Sequence, residues 1–263
     1  MNRQYVTVIE EGPIASLRLT NPDRRNAVGR DLIRELAQAA ESLRDLTEAR
    51  VVLFEADGPD FSSGADVDEL GYYTEHKPLL EVRRRAEEGG RLLRALREIH
   101  QPTICVIQGM ATGAGACFTT ACDFRVAAES ARIGYAEARM GMNLMWHALP
   151  DLIALIGPAR TKRMLLSARL FPARELEAWG FIDVLCPPDA LETAARNLAL
   201  EYAAMPPIAL QMIKRSVNRL ATSMGEAMMH ADFDQWLLTT RTDDFRECVT
   251  AFQERRSPVP TGN

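Results

Sequence analysis

Hydrophobic and polar positions alternate near the start of the chain. The alternation runs from Tyr5 to Glu10 and again from Ile14 to Thr20, with Glu11-Gly12-Pro13 between the two runs. A period of two on either side of a Gly-Pro turn is typical of a β-hairpin. The N-terminal segment is therefore predicted to form two antiparallel strands.

The pattern then changes to the spacing of a helix. Between residues 30 and 47 the apolar positions recur every three or four residues, at Leu32, Leu36, Ala40, Leu43 and Leu46. A second helix is predicted to begin near Pro78, because proline is favoured at the first helical position. Its core-facing residues are predicted to be Leu92, Leu93, Leu96 and Ile99.

Short, uniformly apolar runs follow each of these helices. Residues 51–54 are apolar throughout and too short for a surface helix, which favours a buried parallel strand, and residues 103–107 are predicted to form another. Residues 124–127 have similar strand-like character. Strands that alternate with helices predict an α/β fold with right-handed crossovers.

The second half of the chain is predicted to be largely helical. After Gly157-Pro158 only residues 182–185 have strand character, and amphipathic helices are predicted over 208–220 and 227–238, with a junction at Met224-Gly225. We therefore expect an α/β core with the active site over residues 1–185. Residues 186–263 are expected to form a helical C-terminal region for oligomerisation and coenzyme contact.

Composition excludes several classes of function. The 263 residues are 47% hydrophobic and 25% charged, which is ordinary for a globular protein, and the net charge of −5 offers no basic field for nucleic acid. No apolar run approaches the ~20 residues that span a bilayer, and the N-terminus lacks a signal-peptide pattern, so a cytoplasmic location is expected. The five cysteines are scattered, which predicts neither disulfides nor a metal site.

Two glycine turns each follow a predicted buried strand. They are residues 61–66, which contain Gly64, and residues 109–115, which contain Gly113. Ligands of open α/β sheets bind beyond the carboxyl ends of the strands, and the N–H groups that open a helix favour a negative oxygen. Two such N–H groups directed at one point would form an oxyanion hole. Glycines that only permit tight packing would produce the same pattern.

Motifs along nearly the whole chain carry a family resemblance. They are Asn21–Ala27, Phe61–Asp66, Ala121–Ala127, Ala128–Arg132, Gly157–Arg160, Asp244–Glu247 and Ala251-Phe252. In order and spacing they resemble the crotonase superfamily, the enoyl-CoA hydratase/isomerase group. The resemblance implies a crotonase-like spiral of ββα units with a helical C-terminal trimerisation region. It also implies an acyl-CoA thioester as substrate and no separate cofactor, because coenzyme A enters with the substrate.

The resemblance assigns roles at both glycine turns. The backbone N–H groups of Ala65 and Ala114 would form the oxyanion hole, and the backbone of Ala65-Asp66-Val67 would line the path of adenine and pantetheine. Arg24 or Arg25 would meet coenzyme phosphates, unless both are solvated charges.

The resemblance also separates possible reactions by their carboxylates. Hydratases of this family usually carry two glutamates; Glu137 occupies the second position and Cys117 the first. A thiol with a pKa of ~8.5 is a poor substitute for a carboxylate, so a packing role is expected for Cys117. One base beside an oxyanion hole predicts Δ3-Δ2 enoyl-CoA isomerisation, with Glu137 as the proton carrier.

The acyl loop, which we define as residues 144–148, departs from the family pattern. It has the sequence Leu144-Met145-Trp146-His147-Ala148, where the family usually has Pro-Gly-Ala-Gly-Gly. Bulky Met145, Trp146 and His147 predict a reshaped acyl pocket. His147 is either an additional acid or base or a structural residue.

Alternatives and assembly complete the predictions. A hydratase that uses Glu137 alone or with His147 is the near alternative, and a catalytically weak CoA-thioester-binding or scaffold subunit is the alternative of another class. RNA binding is disfavoured by the acidic balance. The resemblance implies homotrimers, commonly paired into hexamers, with Arg255-Arg256 near a neighbour's coenzyme phosphates.

Overall fold

The computed structural model describes residues 4–74 and 77–263. The strands are β1 (Val6–Glu11), β2 (Ile14–Leu19), β3 (Val51–Ala56), β4 (Thr103–Ile107), β5 (Met110–Thr112), β6 (Phe124–Ala128), β7 (Arg132–Gly134), β8 (Phe171–Pro172) and β9 (Val184–Cys186). The helices are α1 (Arg30–Ser42), α2 (Val67–Thr74), α3 (Leu79–Arg97), α4 (Ala114–Ala121), α5 (Leu149–Ser167), α6 (Ala173–Ala178), α7 (Leu191–Ala203), α8 (Pro207–Met228), α9 (Asp232–Thr239) and α10 (Asp243–Gln253).

A six-stranded sheet in the order β1-β2-β3-β4-β6-β9 forms the centre of the molecule. The predicted hairpin is confirmed, since β1 pairs antiparallel with β2 from Val6 opposite Leu19 to Glu11 opposite Ile14. The remaining neighbours pair in parallel, as predicted for the buried apolar runs. The predicted α/β fold class is confirmed.

A smaller sheet in the order β5-β7-β8 lies beside the main one. Strand β5 follows β4 and strand β7 follows β6, and the two short strands pair in parallel. Strands β4 and β6 are therefore each followed by a short strand that belongs to the smaller sheet. This repeat of paired strands brings the second glycine turn and the segment after β7 to one edge of the molecule.

The two faces of the main sheet bury different helices. Alternate residues of β3 and β4 pack with α1, α3, α4 and α5 on one face, while the residues between them pack with α7 on the other. Because side chains alternate along a strand, a uniformly apolar run supplies both faces. Helix α7 belongs to the predicted C-terminal region and yet covers the sheet, so the boundary at residue 185 stays a prediction.

Two predicted helix boundaries in the C-terminal region are wrong. Helix α8 runs without a junction through Met224-Gly225, and the helix predicted over 227–238 is instead divided between the end of α8, a 3-10 turn at Met229–Ala231, and α9. A Cβ at Gly225 would lie 2.5 Å from the Cβ of Pro150. This glycine therefore permits a close approach of α8 to α5 rather than ending a helix.

Helix α1 is also shorter than predicted, since it ends at Ser42 and a 3-10 turn follows at Leu43–Asp45. Helix α2 was not predicted. Within the described residues, no helix is both long and apolar enough to cross a membrane.

Candidate active site

The first glycine turn leaves the N–H of Ala65 outside its backbone hydrogen bonds to Val28. The Val28 N–H donates to the Gly64 carbonyl (2.8 Å), and the Asp66 N–H donates to the Val28 carbonyl (3.1 Å). These bonds flank Ala65 in a parallel bridge, so its own N–H faces away from Val28. Gly64 adopts a φ of +85°, and a Cβ there would lie 2.6 Å from the Thr112 carbonyl oxygen, so only glycine fits.

The second glycine turn presents the N–H of Ala114. Ala114 is the first residue of α4, and the opening N–H groups of a helix have no intrahelical acceptor. Gly113 precedes it with a φ of +52°, and its N–H donates to the Gly134 carbonyl at 3.0 Å. Gly115 packs against the first turn, since a Cβ there would lie 2.7 Å from the Cβ of Ser62.

Both turns and Glu137 meet at one point. A Cβ at Gly113 would lie 3.4 Å from Oε1 of Glu137 and 4.0 Å from the Cα of Gly64. Ala65, Ala114 and Glu137 line the same cavity, whose volume is about 100 Å³. The structure thus brings the predicted oxyanion donors and the predicted base together around a single space.

Glu137 has the environment of a general base. It begins a 3-10 turn (Glu137–Met140) shortly after β7. Its Oε2 atom is buried and has no hydrogen-bond partner among the described residues. Burial raises the pKa of the Glu137 carboxyl to about 7, against the smaller opposing effect of the backbone N–H groups of Glu137 and Ala136. A carboxyl that titrates near neutrality suits proton transfer at physiological pH.

Other carboxylates also line the cavity, and each of them forms an ion pair with an arginine. Asp66 pairs with Arg24 at 2.9 Å, Glu88 pairs with Arg30 at 2.9 Å, and Glu69 pairs with Arg85. Burial opposes ionisation of Glu88, but the hydrogen bond and charge of Arg30 leave its pKa below the ordinary value. Glu137 differs from these three residues in having a buried oxygen without a hydrogen-bond partner among the described residues.

Cys117 lies on α4 and lines the cavity beside Glu137. Only 2% of its surface is exposed. Burial raises the pKa of the Cys117 thiol well above its ordinary value, and the negative charge of Glu137 raises it further. The thiol is therefore neutral near pH 7, in keeping with the packing role expected for it.

The acyl loop forms one side of the cavity through Met145 and Trp146. Trp146 is 8% exposed, and its ring stacks on Phe118 with centroids 6.3 Å apart and planes 21° apart. Its backbone φ is +71°, and the φ of His147 is +59°. Two successive bulky residues thus occupy the left-handed region that glycine normally takes.

His147 contacts residues behind the cavity lining rather than entering it. Its ring packs against Phe233, with centroids 5.2 Å apart. The backbone N–H of His147 donates to Oδ2 of Asp232 at 3.0 Å, and its backbone carbonyl accepts from Nη1 of Arg97 at 3.0 Å. Burial raises the pKa of the Asp232 carboxyl to about 6, against the opposing hydrogen bond from the His147 N–H.

The residues predicted for coenzyme contact lie on the outer side of the first turn. Arg24 pairs with Asp66 and Asp68 (2.7 Å to the latter) and lines a second depression together with Asp66. Arg25 pairs with Asp60 at 2.6 Å and lines neither space. Val67 is exposed at the start of α2. Of the two arginines, Arg24 lies at one of these two spaces and Arg25 at neither.

Two aromatic residues of the site were missed from the sequence. Tyr73 of α2 and Trp236 of α9 line the cavity, with ring centroids 4.9 Å apart and planes 89° apart. The paired charges of Arg30, Glu69, Arg85 and Glu88 were missed as well. Trp236 falls within a predicted amphipathic helix, but no sequence pattern connects that helix with the glycine turns.

Comparisons with known proteins point to one family. A family model described as enoyl-CoA hydratase/isomerase matches residues 10–263. The chain is 30% identical over 259 residues to a putative enoyl-CoA hydratase of Thermus thermophilus, covering 95% of this chain and 98% of the relative. It is 28% identical over 261 residues to the 1,2-epoxyphenylacetyl-CoA isomerase of Escherichia coli, covering 97% of each. An enoyl-CoA hydratase structure from Mycobacterium avium subsp. paratuberculosis superposes with a TM-score of 0.87 at 28% identity, covering 98% of this chain and 99% of that one.

Proposed function

The chain belongs to the enoyl-CoA hydratase/isomerase family, and from that premise we propose that it is a Δ3-Δ2 enoyl-CoA isomerase with Glu137 as its single base. The supporting observation is the buried carboxyl of Glu137, with a pKa raised to about 7, beside both glycine turns. The neutral thiol of Cys117 occupies the position where a hydratase of this family usually carries its other glutamate.

The proposed reaction is a proton transfer between two carbons of the acyl group. The N–H groups of Ala65 and Ala114 donate to the thioester oxygen and acidify the second carbon. Glu137 removes a proton from that carbon, the negative charge spreads onto the thioester oxygen, and the proton returns to the fourth carbon. General-base catalysis contributes about 10²–10⁴-fold and each oxyanion donor about 10²–10³-fold, so both are needed.

Hydration is the alternative reaction. Relatives with similar coverage bear hydratase names, and in this chain hydration would rely on Glu137 to activate water. His147 contributes nothing to the cavity lining, which disfavours a hydratase that uses both residues. The catalytically weak scaffold remains the alternative of another class.

A direct comparison of substrates tests the proposal. We expect the purified protein to isomerise a short 3-enoyl-CoA at least tenfold faster, in kcat/KM, than it hydrates crotonyl-CoA. Both products are resolved by chromatography of the CoA esters. The opposite ratio would favour the hydratase, and tight binding without turnover of either substrate would favour the scaffold.

Assembly into homotrimers, or hexamers of paired trimers, is proposed on the outer face of α8. Apolar side chains there are 56–85% exposed, namely Ile208, Met212, Ile213, Val217, Leu220 and Met224. An apolar strip of this length usually marks an interface. Light scattering should give three or six chains per particle, and Leu220→Glu should lower that number. A wild-type protein that is monomeric at micromolar concentration would contradict the assembly.

Fewer arginines are proposed to contact a neighbour's coenzyme than the sequence predicted. Arg256 is already bonded to Glu247 (2.9 Å) and Glu254 (2.7 Å) within its own chain. The contribution to phosphate binding across an interface is therefore proposed for Arg255 alone. Arg255→Ala should weaken CoA-thioester binding, whereas binding of the free acid should not change.

A further inference from the structure

The left-handed turn at Trp146-His147 requires support from outside the acyl loop. Their φ angles of +71° and +59° place two L-residues with large side chains in a region that costs about 1–2 kcal/mol per residue. Such conformations persist only where the surroundings determine them strongly.

Side chains from two distant helices provide that support. Asp232 at the start of α9 accepts the His147 N–H (3.0 Å), and Arg97 at the end of α3 donates to the His147 carbonyl (3.0 Å). Arg97 is itself held by Oδ2 of Asp151 at 2.5 Å. Asp232 is only 5% exposed. The backbone N–H and the backbone carbonyl of His147 are therefore both hydrogen-bonded to ionisable side chains.

Helix α3 is shaped to receive the aromatic rings of this assembly. A Cβ at Gly89 would lie 1.9 Å from Cε2 of Trp146, and a Cβ at Gly90 would lie 3.0 Å from Cζ of Phe233. Glycine in the interior of a helix costs about 1 kcal/mol relative to alanine. The two glycines thus form a notch in α3, into which the indole of Trp146 fits beside the cavity.

We infer that Trp146, seated in the notch at Gly89, restricts the acyl pocket to short acyl groups, and that Asp232 is the positioning residue that holds it there. The indole fills space that the glycine surface of α3 would otherwise leave open to an acyl chain. This inference rests on the proposed function only in taking acyl-CoA as the ligand. It does not depend on which reaction the enzyme performs.

Binding of saturated acyl-CoA esters tests the role of Trp146 without turnover. In an open apolar pocket each additional buried CH₂ contributes about 0.8 kcal/mol, so decanoyl-CoA would bind more tightly than butyryl-CoA. We expect calorimetry on the full chain to show the reverse for the wild type, by at least tenfold in Kd. Trp146→Ala should invert this preference. The control Trp179→Ala removes a tryptophan that packs on Phe171, outside the cavity lining.

Variants of Asp232 separate positioning from general stability. Asp232→Ala removes the acceptor for the His147 N–H and should shift the preference toward decanoyl-CoA, as Trp146→Ala does. Asp232→Asn retains an oxygen acceptor and should keep the wild-type preference. Asp232→Leu, which fills the buried site without an acceptor, replaces the alanine variant if that one does not fold. The exposed neighbour Asp234, changed to Ala, is the matched control.

The outcomes separate this inference from the proposed function. A wild type that binds decanoyl-CoA as tightly as butyryl-CoA would overturn the inference and leave the proposed function intact. An unchanged preference for butyryl-CoA in Trp146→Ala would also overturn the inference and leave the proposed function intact. Wild-type selectivity in Asp232→Ala, or in Asp232→Leu where the alanine variant does not fold, would overturn the role of Asp232. Failure of the wild type to bind either ester would overturn the proposed function together with the inference.

Discussion

Two regions that border the cavity both contain left-handed backbone positions, but different kinds of residue occupy them. In the glycine turns the left-handed positions are Gly64, Gly109 and Gly113, where no Cβ opposes the conformation. In the acyl loop they are Trp146 and His147, where the conformation is unfavourable. The first region places backbone N–H groups, and the second places a large side chain.

The difference teaches where each region obtains its stability. A glycine turn carries no Cβ penalty at its left-handed positions, and bonds between backbone groups, such as that from Val28 to Gly64, hold it in place. The acyl loop depends on hydrogen bonds to residues 50 and 85 positions away along the chain. Changes in the glycine turns should therefore alter rate, whereas changes around the acyl loop should alter which acyl group is bound.

The largest effect is expected at Glu137, the proposed base beside the glycine turns. Glu137→Gln should lower kcat by about 10²–10⁴-fold and leave acyl-CoA binding nearly unchanged, because the amide keeps the shape but accepts no proton. Steady-state kinetics and calorimetry measure the two quantities. Glu129→Gln, a change at an exposed carboxylate paired with Arg174, is the control. Residual activity above a tenth of wild type would exclude Glu137 as the base.

The next effect tests the glycine side of the comparison directly. In Gly64→Ala the new Cβ would meet the Thr112 carbonyl oxygen at 2.6 Å and would stand at a φ of +85°. The turn must shift and misdirect the Ala65 N–H, so kcat should fall by about 10²–10³-fold, the value of one oxyanion donor. Gly71→Ala is the control, since a Cβ there meets no atom within 4 Å. Equal activity of both variants would show that the first turn supplies no oxyanion donor.

A third effect concerns stability. Glu137→Gln should raise the free energy of unfolding at high pH although it lowers activity. Because burial raises the pKa of Glu137 to about 7 from an ordinary value of 4.5, the folded protein holds a proton that the unfolded chain releases between these pH values. Stability falls as pH rises through this window and levels off above it. Glu137→Gln should therefore be more stable than wild type at pH 8, by up to about 3 kcal/mol.

Urea denaturation at pH 8 and pH 5 measures this difference, which should shrink toward zero at the lower pH. The Glu129→Gln control should show no such pH dependence. A Glu137→Gln variant that is less stable than wild type at pH 8 would contradict the burial of an unpaired carboxyl.

The smallest effect is the pH dependence of catalysis. The base must be ionised to accept a proton, so kcat/KM should fall about tenfold per pH unit below pH 7 and be level above it. The same inflection should survive in Trp146→Ala, because the acyl loop selects the acyl group and does not ionise Glu137. An inflection near 4.5 in the wild type would show that Glu137 is solvated in the free enzyme.

The residues of the glycine turns show how much of the site could be predicted from the sequence. Local rules of strand periodicity, helix starts and turn glycine located β3, β4, Gly64 and Gly113, and the family resemblance then selected Glu137. Helix α2, Tyr73 and Trp236 were missed because their place at the cavity comes from packing between distant segments. The error at Met224-Gly225 has the same origin, since Pro150 lies 75 positions earlier in the chain yet requires the glycine.

By itself the sequence determined the main strands and the glycine turns, because each depends on a short-range pattern, and a family motif singled out Glu137. Only the tertiary structure decided the environment of these groups. It removed Glu137 from water and so raised its pKa to about 7. It also held Trp146 and His147 in a conformation that their own backbone disfavours, because Asp232, Arg97 and the notch at Gly89 come together only in the folded chain.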